Sequence, residues 1–111
     1  MDTKLYTWHK IAANRASLVF NENAIAEVAI GERMICIGAF QNALFAFAHK
    51  CPHAGVLLST GYIDSAGNVV CPMHQYKFNI RNGRNTSGEG YFMRHWRIDE
   101  REDGVYVGLS E

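Results

Sequence analysis

Two short segments gather the residues able to do metal chemistry. The first is Cys51-Pro52-His53-Ala54-Gly55 and the second is Cys71-Pro72-Met73-His74. The pattern is C-x-H, seventeen intervening residues, then C-x-x-H, so each half carries one soft thiolate and one imidazole. Each cysteine is followed by a proline, which fixes φ, lacks an N–H and so stiffens the loop that presents the ligands. Gly55 and Gly61 permit sharp backbone bends beside a bound group.

Three readings fit four such residues. They could bind nothing, but two matched Cys-Pro loops argue against coincidence. They could hold a structural zinc ion, since two Cys and two His suit tetrahedral zinc. Zinc fingers, however, usually pair Cys with Cys and His with His at close spacing, and each loop here is mixed. They could hold a [2Fe–2S] centre in which two His replace two Cys on one iron. The spacing favours this third reading over zinc and leaves both open.

The elements that must position these loops are mostly β. Asn23–Ile30 is rich in small and branched apolar residues, although Asn21–Ala29 also has moderate helical propensity. Gly31-Glu32 reads as a turn, Arg33–Gly38 as a strand, Gln41-Asn42 as a turn and Ala43–His49 as the returning strand. Leu44-Phe45-Ala46-Phe47 is too apolar to alternate, as expected of a strand covered on both faces. Further strands are predicted at Asn68–Val70, Tyr76–Ile80, Met93–Ile98 and Val105–Leu109, with Asn82-Gly83 a strong hairpin signal. Short strands at this spacing indicate a sandwich or barrel. With 111 residues, 48% of them apolar, and no linker or repeat, the chain reads as one globular domain over residues 1–111.

Composition excludes several classes. Formal net charge is zero, which argues against a general nucleic-acid binder. Residues 77–97 nevertheless carry an excess of four positive charges and residues 98–111 an excess of four negative ones. No apolar run approaches the roughly 20 residues that span a bilayer, and the N-terminus lacks the apolar core of a signal peptide. Three cysteines cannot complete a disulfide framework, which fits a reducing, cytoplasmic setting. Cys36, within Arg33-Met34-Ile35-Cys36-Ile37, reads as a small buried hydrophobe. Trp8, Phe40, Phe92 and Trp96 read as core or edge aromatics. His9, His49 and His95 fall in no ligand motif, with His49 close enough to Cys51 to pack beside its loop.

Together with Gln75-Tyr76-Lys77-Phe78 after the second segment and the closing Asp103-Gly104-Val105-Tyr106-Val107, these motifs make the chain resemble the Rieske ferredoxins. The resemblance implies an all-β, antiparallel sandwich with a small cluster-binding subdomain formed by two loops, across about residues 49–80. It implies one [2Fe–2S] cluster, with Cys51 and Cys71 on a buried iron and with His53 and His74 on the outer iron, their ring edges near solvent. Where respiratory-chain relatives carry two extra cysteines that cross-link the loops, this chain has Val56 and Met73. Where those relatives place a Ser and a Tyr hydroxyl near the sulfurs, it has Tyr76 and Phe78. Fewer hydrogen bonds to sulfur point to the lower end of the Rieske range, roughly −150 mV.

Two thiolates on two ferric ions and two sulfides leave the oxidised centre neutral and the reduced one with a single negative charge, which costs less than charging an all-cysteine centre further. The resemblance therefore implies a one-electron carrier, monomeric when free, between a flavoprotein reductase and a terminal oxygenase or similar acceptor. A chain this short, without a G-x-G-x-x-G fingerprint, has no room for a flavin or catalytic domain of its own. The alternative is the Rieske-like small subunit of a nitrite reductase; a zinc-stapled interaction module is a more distant one. On either redox reading, Arg81 and Arg84 are expected near the rim of the cluster loops and Val56 and Met73 around the two histidines.

Overall fold

The computed structural model describes residues 6–110. Nine strands run in the order β1 (Tyr6–Ala12), β2 (Ile25–Ile30), β3 (Arg33–Phe40), β4 (Ala43–Ala48), β5 (Tyr62–Ile63), β6 (Asn68–Val70), β7 (Lys77–Asn79), β8 (His95–Arg101) and β9 (Gly104–Ser110). The helical elements among the described residues are two single 3-10 turns, at Arg15–Ser17 and Leu58–Thr60. No helix among them is long and apolar enough to cross a membrane.

Six strands form one antiparallel sheet in the order β1-β9-β8-β4-β3-β2, and β5-β6-β7 form a second. The larger sheet curls so that β1 comes against β2. Its centre explains the apolar runs of the sequence. Along β3, Ile35 and Ile37 enter one core while Cys36, between them, enters the other. Along β4, Leu44 and Ala46 join the first of these cores and Phe47 the second. Alternation is present, but both faces are dry, so polar residues do not mark it. The Gln41-Asn42 turn between these strands has φ of 49° and 64°, the paired positive values of a tight hairpin turn.

The core of Ile35, Ile37, Leu44, Ala46, Val105 and Val107 lies inside the curled sheet. The other core joins that sheet to the smaller one and contains Ile25, Phe47, Leu58, Val69, Phe78, Ile80 and Met93. Cys51 and Cys71 are members of this second core, 2% and 0% exposed. Gly38 makes the layers' close approach possible: a Cβ there would lie 2.8 Å from Phe47 and 3.0 Å from Ile63.

β4 and β8 pair directly, at Ala46–Trp96 and Phe47–His95, yet 46 residues separate them in the chain, from His49 to Arg94. That excursion carries both Cys-Pro loops and includes the 49–80 span expected from sequence. Its end is stitched to the larger sheet by the Ala48 N–H on the Arg94 carbonyl at 2.9 Å.

The structure departs from the expected elements in several places, the two-residue β5 among them. β1 is an additional edge strand, paired with β9. β8 begins at His95 and runs to Arg101, because Met93 turns into the core ahead of it. Asn21–Ala29 is no helix: Ala24 has φ of 64°, the Asn21 side chain accepts from the Asn23 and Ile25 N–H groups, and the chain then enters β2. Asn82-Gly83 does reverse the chain, and Asn85 bridges back to Phe78.

Candidate metal centre

The two ligand loops are built alike. In the first, the Cys51 N–H donates to the Val56 carbonyl at 2.8 Å, and in the second the Cys71 N–H donates to the Tyr76 carbonyl, also at 2.8 Å. Each cysteine thus closes a loop on the carbonyl five residues ahead, with its histidine inside. The first loop is the tip of a ladder from β4, held by the Lys50–Leu57 bridge and the Leu58 N–H on the His49 carbonyl. The second connects β6 to β7, and its turn is completed by His74 and Gln75 at φ of 64° and 56°. Two successive non-glycine residues in the left-handed region are uncommon and cluster at functional sites.

These loops bring Cys51, His53, Cys71 and His74 together. Cys51 and Cys71 lie in the same buried core cluster, and the His53 and His74 ring centroids lie 5.6 Å apart. Burial pushes the Cys71 thiol above its ordinary range. The Met73 N–H pulls against that rise, and the neighbouring Cys51 thiol adds to it. Such a pair in apolar surroundings needs a positive metal to draw both sulfurs to the thiolate.

His53 is covered. Tyr76 stacks on its ring at 4.1 Å with planes 28° apart, and Tyr91 lies 5.3 Å away. Its Nδ1 is buried without a hydrogen-bond partner among the described residues. A buried imidazole nitrogen facing no donor or acceptor costs free energy unless something else occupies its lone pair. His74 is exposed and His53 half-buried, its face covered by a tyrosine.

Among the described residues no three His, Cys, Asp or Glu side chains close on a single point suited to one metal ion. A pair of thiols and a pair of imidazoles is the donor set of a two-iron centre in which two His replace two Cys on one iron.

Sequence reasoning did not find Tyr91, nor how Glu89 is held. Asn85 organises this cover. Its Oδ1 accepts from the Gly90 N–H at 2.8 Å and from the Glu89 N–H, and its Nδ2 reaches the Lys77 carbonyl at 3.0 Å. The Ser87 hydroxyl donates to Glu89, which holds that carboxyl below its usual range, and the Asn85 amide assists. The Lys77 N–H on Ser87 Oγ at 2.9 Å ties the loop back to β7. The signal in the sequence was the Asn-Thr-Ser-Gly-Glu-Gly composition, which marks a side-chain-braced loop without revealing its path.

The other expectations sort cleanly. Cys36 is fully buried, and its thiol is pushed up to about 12, first by burial and then by the Glu27 carboxylate. His49 pairs with Glu27 at 2.7 Å, and the same carboxylate accepts from Ser59 at 2.8 Å, bracing the base of the first loop. His9 lies on β1 and His95 on β8, away from the ligand loops. Val56 packs against the core, whereas Met73 is 45% exposed. Phe78 is a core residue, fully buried. Arg81 lies over the Phe45 and Phe40 rings of the larger sheet instead of beside the histidines.

Comparison with known proteins agrees with this architecture. The family pattern of the Rieske [2Fe-2S] domain matches residues 7–90. The chain is 33% identical over 82 residues to the anthranilate 1,2-dioxygenase ferredoxin subunit of Burkholderia cepacia, covering 74% of this chain and 72% of that protein. Among solved structures, it superposes on a chain of the complex of reduced oxygenase and oxidized ferredoxin in carbazole 1,9a-dioxygenase with a TM-score of 0.74. That match has 24% identity and covers 90% and 91% of the two chains. It superposes on a Mycobacterium tuberculosis protein assigned as the small subunit of an NADH-dependent nitrite reductase with a TM-score of 0.79, at 15% identity over 95% and 96%. Identities this low speak to fold alone. The fold, the paired loops and the pattern that spans both of them converge: this chain belongs to the Rieske [2Fe–2S] domain family and holds one [2Fe–2S] cluster.

Proposed function

We propose that Cys51 and Cys71 hold the buried iron of this cluster and that His53 and His74 hold the outer one, in a single domain that works as a free monomer in the cytoplasm. The chain is an electron carrier and not itself an enzyme. When bound, the cluster supplies one reversible electron at low reorganisation cost. The chain's own residues present two thiols and two imidazoles in fixed loops, cover one face of His53 with Tyr76, and leave His74 at the surface as the short way out. The observation that carries the ligand assignment is the buried, unpartnered His53 Nδ1, in a loop that opens on a cysteine of the same core as Cys71.

By analogy with the dioxygenase ferredoxin relative, the donor is a flavoprotein reductase and the acceptor a terminal oxygenase. The likeness to a nitrite reductase small subunit rests on fold alone and does not favour an enzyme-subunit role. Purification in a fixed stoichiometric complex with a reductase enzyme would reverse that choice. The three cysteines, with Cys36 free and the other two assigned to iron, support a reducing compartment.

The direct test is content and ligand replacement. The anaerobically purified protein is expected to be red-brown, with two irons and two acid-labile sulfides per chain. Alanine at Cys51, His53, Cys71 or His74 is expected to abolish or severely degrade the visible spectrum, with the larger sheet still folded by circular dichroism. A colourless protein with stoichiometric zinc, or an Ala variant at one of these positions that keeps the full spectrum, would overturn the assignment.

A further inference from the structure

A cleft of about 690 Å³ opens where Ile80 and Arg81 meet β4 and β8. Leu44, Ala46 and Ile80 form an apolar floor, and Arg81, Arg94 and Arg97 line it. No Asp or Glu is part of the lining. Among the described residues, none of these three guanidinium groups has a carboxylate within 4.0 Å, although Arg15 and Arg101 elsewhere on the chain do.

Each of the three is held by an aromatic ring. Arg81 lies 5.3 Å from the Phe45 centroid, Arg94 5.4 Å from Trp96 and Arg97 5.2 Å from Tyr6. Arg97 Nε also donates to the Tyr6 hydroxyl at 3.1 Å. A guanidinium held over a ring still has terminal N–H groups to donate to a carboxylate, and the ring contact removes part of the entropy cost of fixing it. Three such groups over an apolar floor are more than a lone phosphate can use. They suit a segment with several carboxylates and apolar side chains between them.

The cleft also adjoins the metal centre. Phe92, 55% exposed, is on its rim and directly follows Tyr91, which packs against His53. A body seated in the cleft therefore abuts the cover of the cluster. We propose that this cleft seats an acidic segment of a redox partner's surface, so that electron transfer is guided from the Arg81–Arg94–Arg97 side. The proposal rests on the electron-carrier reading and moves the docking charge from the loop tips to the groove behind them. Arg84, which the sequence groups with Arg81, does not line it.

The test uses the intact, cluster-loaded protein and an end-labelled ten-residue peptide of Glu and Leu, read by fluorescence anisotropy. Saturable binding is expected at low salt, weakening roughly tenfold between 50 and 200 mM salt, as exposed charge pairs are screened. The triple variant Arg81→Gln/Arg94→Gln/Arg97→Gln is expected to lose at least tenfold in affinity, and Arg15→Gln/Arg101→Gln to lose none. If the triple variant folds poorly by circular dichroism, Arg94→Gln alone is expected to lose about threefold. No binding, or equal binding by the Gln variants, would overturn the proposal. So would competition by inorganic phosphate as strong, mole for mole, as by unlabelled peptide, which would mark a small-anion site. Self-association of the protein that the triple variant abolishes would name a second copy as the occupant and overturn it too. The visible spectrum of the same samples reports the cluster separately: a colourless protein refutes the carrier reading, whereas a full spectrum without peptide binding refutes only the docking cleft.

Discussion

Replacing Gly61 with Ala tests whether the spacing of the two ligand loops is set by backbone contact. Gly61 ends the 3-10 turn that follows the first loop, with φ of −89° and ψ of −148°. A Cβ at this position would lie 2.0 Å from the Val70 carbonyl oxygen and 3.3 Å from Pro72, the residues that flank Cys71. Ordinary contact begins at 3.4 Å. The chain before Cys71 must therefore retreat by about 1.4 Å, well beyond the roughly 0.5 Å within which a metal constellation keeps its geometry. Overpacking of this kind costs about 1–3 kcal/mol, a fall in Tm of about 4–15 °C for a domain of this size. The larger effect is on the site, since Cys51 and Cys71 must share one centre. Gly61→Ala is expected to lose most of its iron and sulfide while keeping the far-ultraviolet spectrum of the larger sheet. Val107→Ala is the matched control. It costs about 2 kcal/mol in the core that does not touch the ligand loops and is expected to keep the cluster. Full iron content and an unchanged Tm in Gly61→Ala would refute the reasoning. Equal cluster loss in both variants would refute it as well, because general stability would then explain the loss.

Asp64 braces the turn between β5 and β6: burial pushes its carboxyl up, but the Asn68 N–H at 2.9 Å, the Asn68 side chain at 3.2 Å and the Ala66 N–H at 3.0 Å outweigh that and leave it below the usual range. Its folded pKa is thus lower than its unfolded one near 3.9, so the stabilisation is complete above the unfolded pKa and is lost as pH falls through the folded pKa. In urea titrations the wild type is expected to weaken below about pH 4 more steeply than Asp64→Asn, which should itself cost about 1.5–3 kcal/mol at neutral pH; parallel curves would refute this. Tyr76→Ala uncovers His53 to water, which favours the more negative reduced state, so protein-film voltammetry is expected to show a rise of about 40 mV, roughly 1 kcal/mol for one electron. Tyr76→Phe, which keeps the stack, should show much less, and an unchanged potential in the Ala variant would refute the role of the cover. Cys36→Ser is expected to keep the visible spectrum, and native Cys36 to resist thiol reagents at pH 8, because its thiol is pushed to about 12; labelling of the folded, cluster-loaded protein would contradict this.

The strands that sequence reasoning recovers are those whose burial is unambiguous. Arg33–Phe40 and Ala43–Ala48 sit in the middle of the larger sheet, and their apolar runs reflect two dry faces. β1 escapes because it is an edge strand whose Thr7, Trp8 and Lys10 remain exposed, so its residues carry no clear period. β5 is two residues long and is defined by its partner alone. At Asn21–Ala29 a moderate local helical preference loses to tertiary structure: Ile25 and Ala26 are buried in different cores, which a strand beside β3 allows.

The four ligand candidates were legible because their chemistry lives in residue type and short spacing, whereas their cover depends on where a loop sixteen to twenty residues downstream folds back. The matched closures make the difference concrete. Val56 and Tyr76 hold equivalent places, each accepting from the N–H of its loop's cysteine. The first closing residue packs into the core; the second carries a ring that crosses to the other loop and stacks on His53. The loops are joined by that stack, by the shared burial of Cys51 and Cys71 in one core and by the close packing of Gly61 under Val70. The ligand cysteines, with Tyr76 packed against them, belong to the core between the two sheets, and no ligand-loop residue belongs to the core inside the curled sheet. Metal binding free energy is therefore spent on ordering this subdomain, while the six-stranded sheet keeps a core of its own.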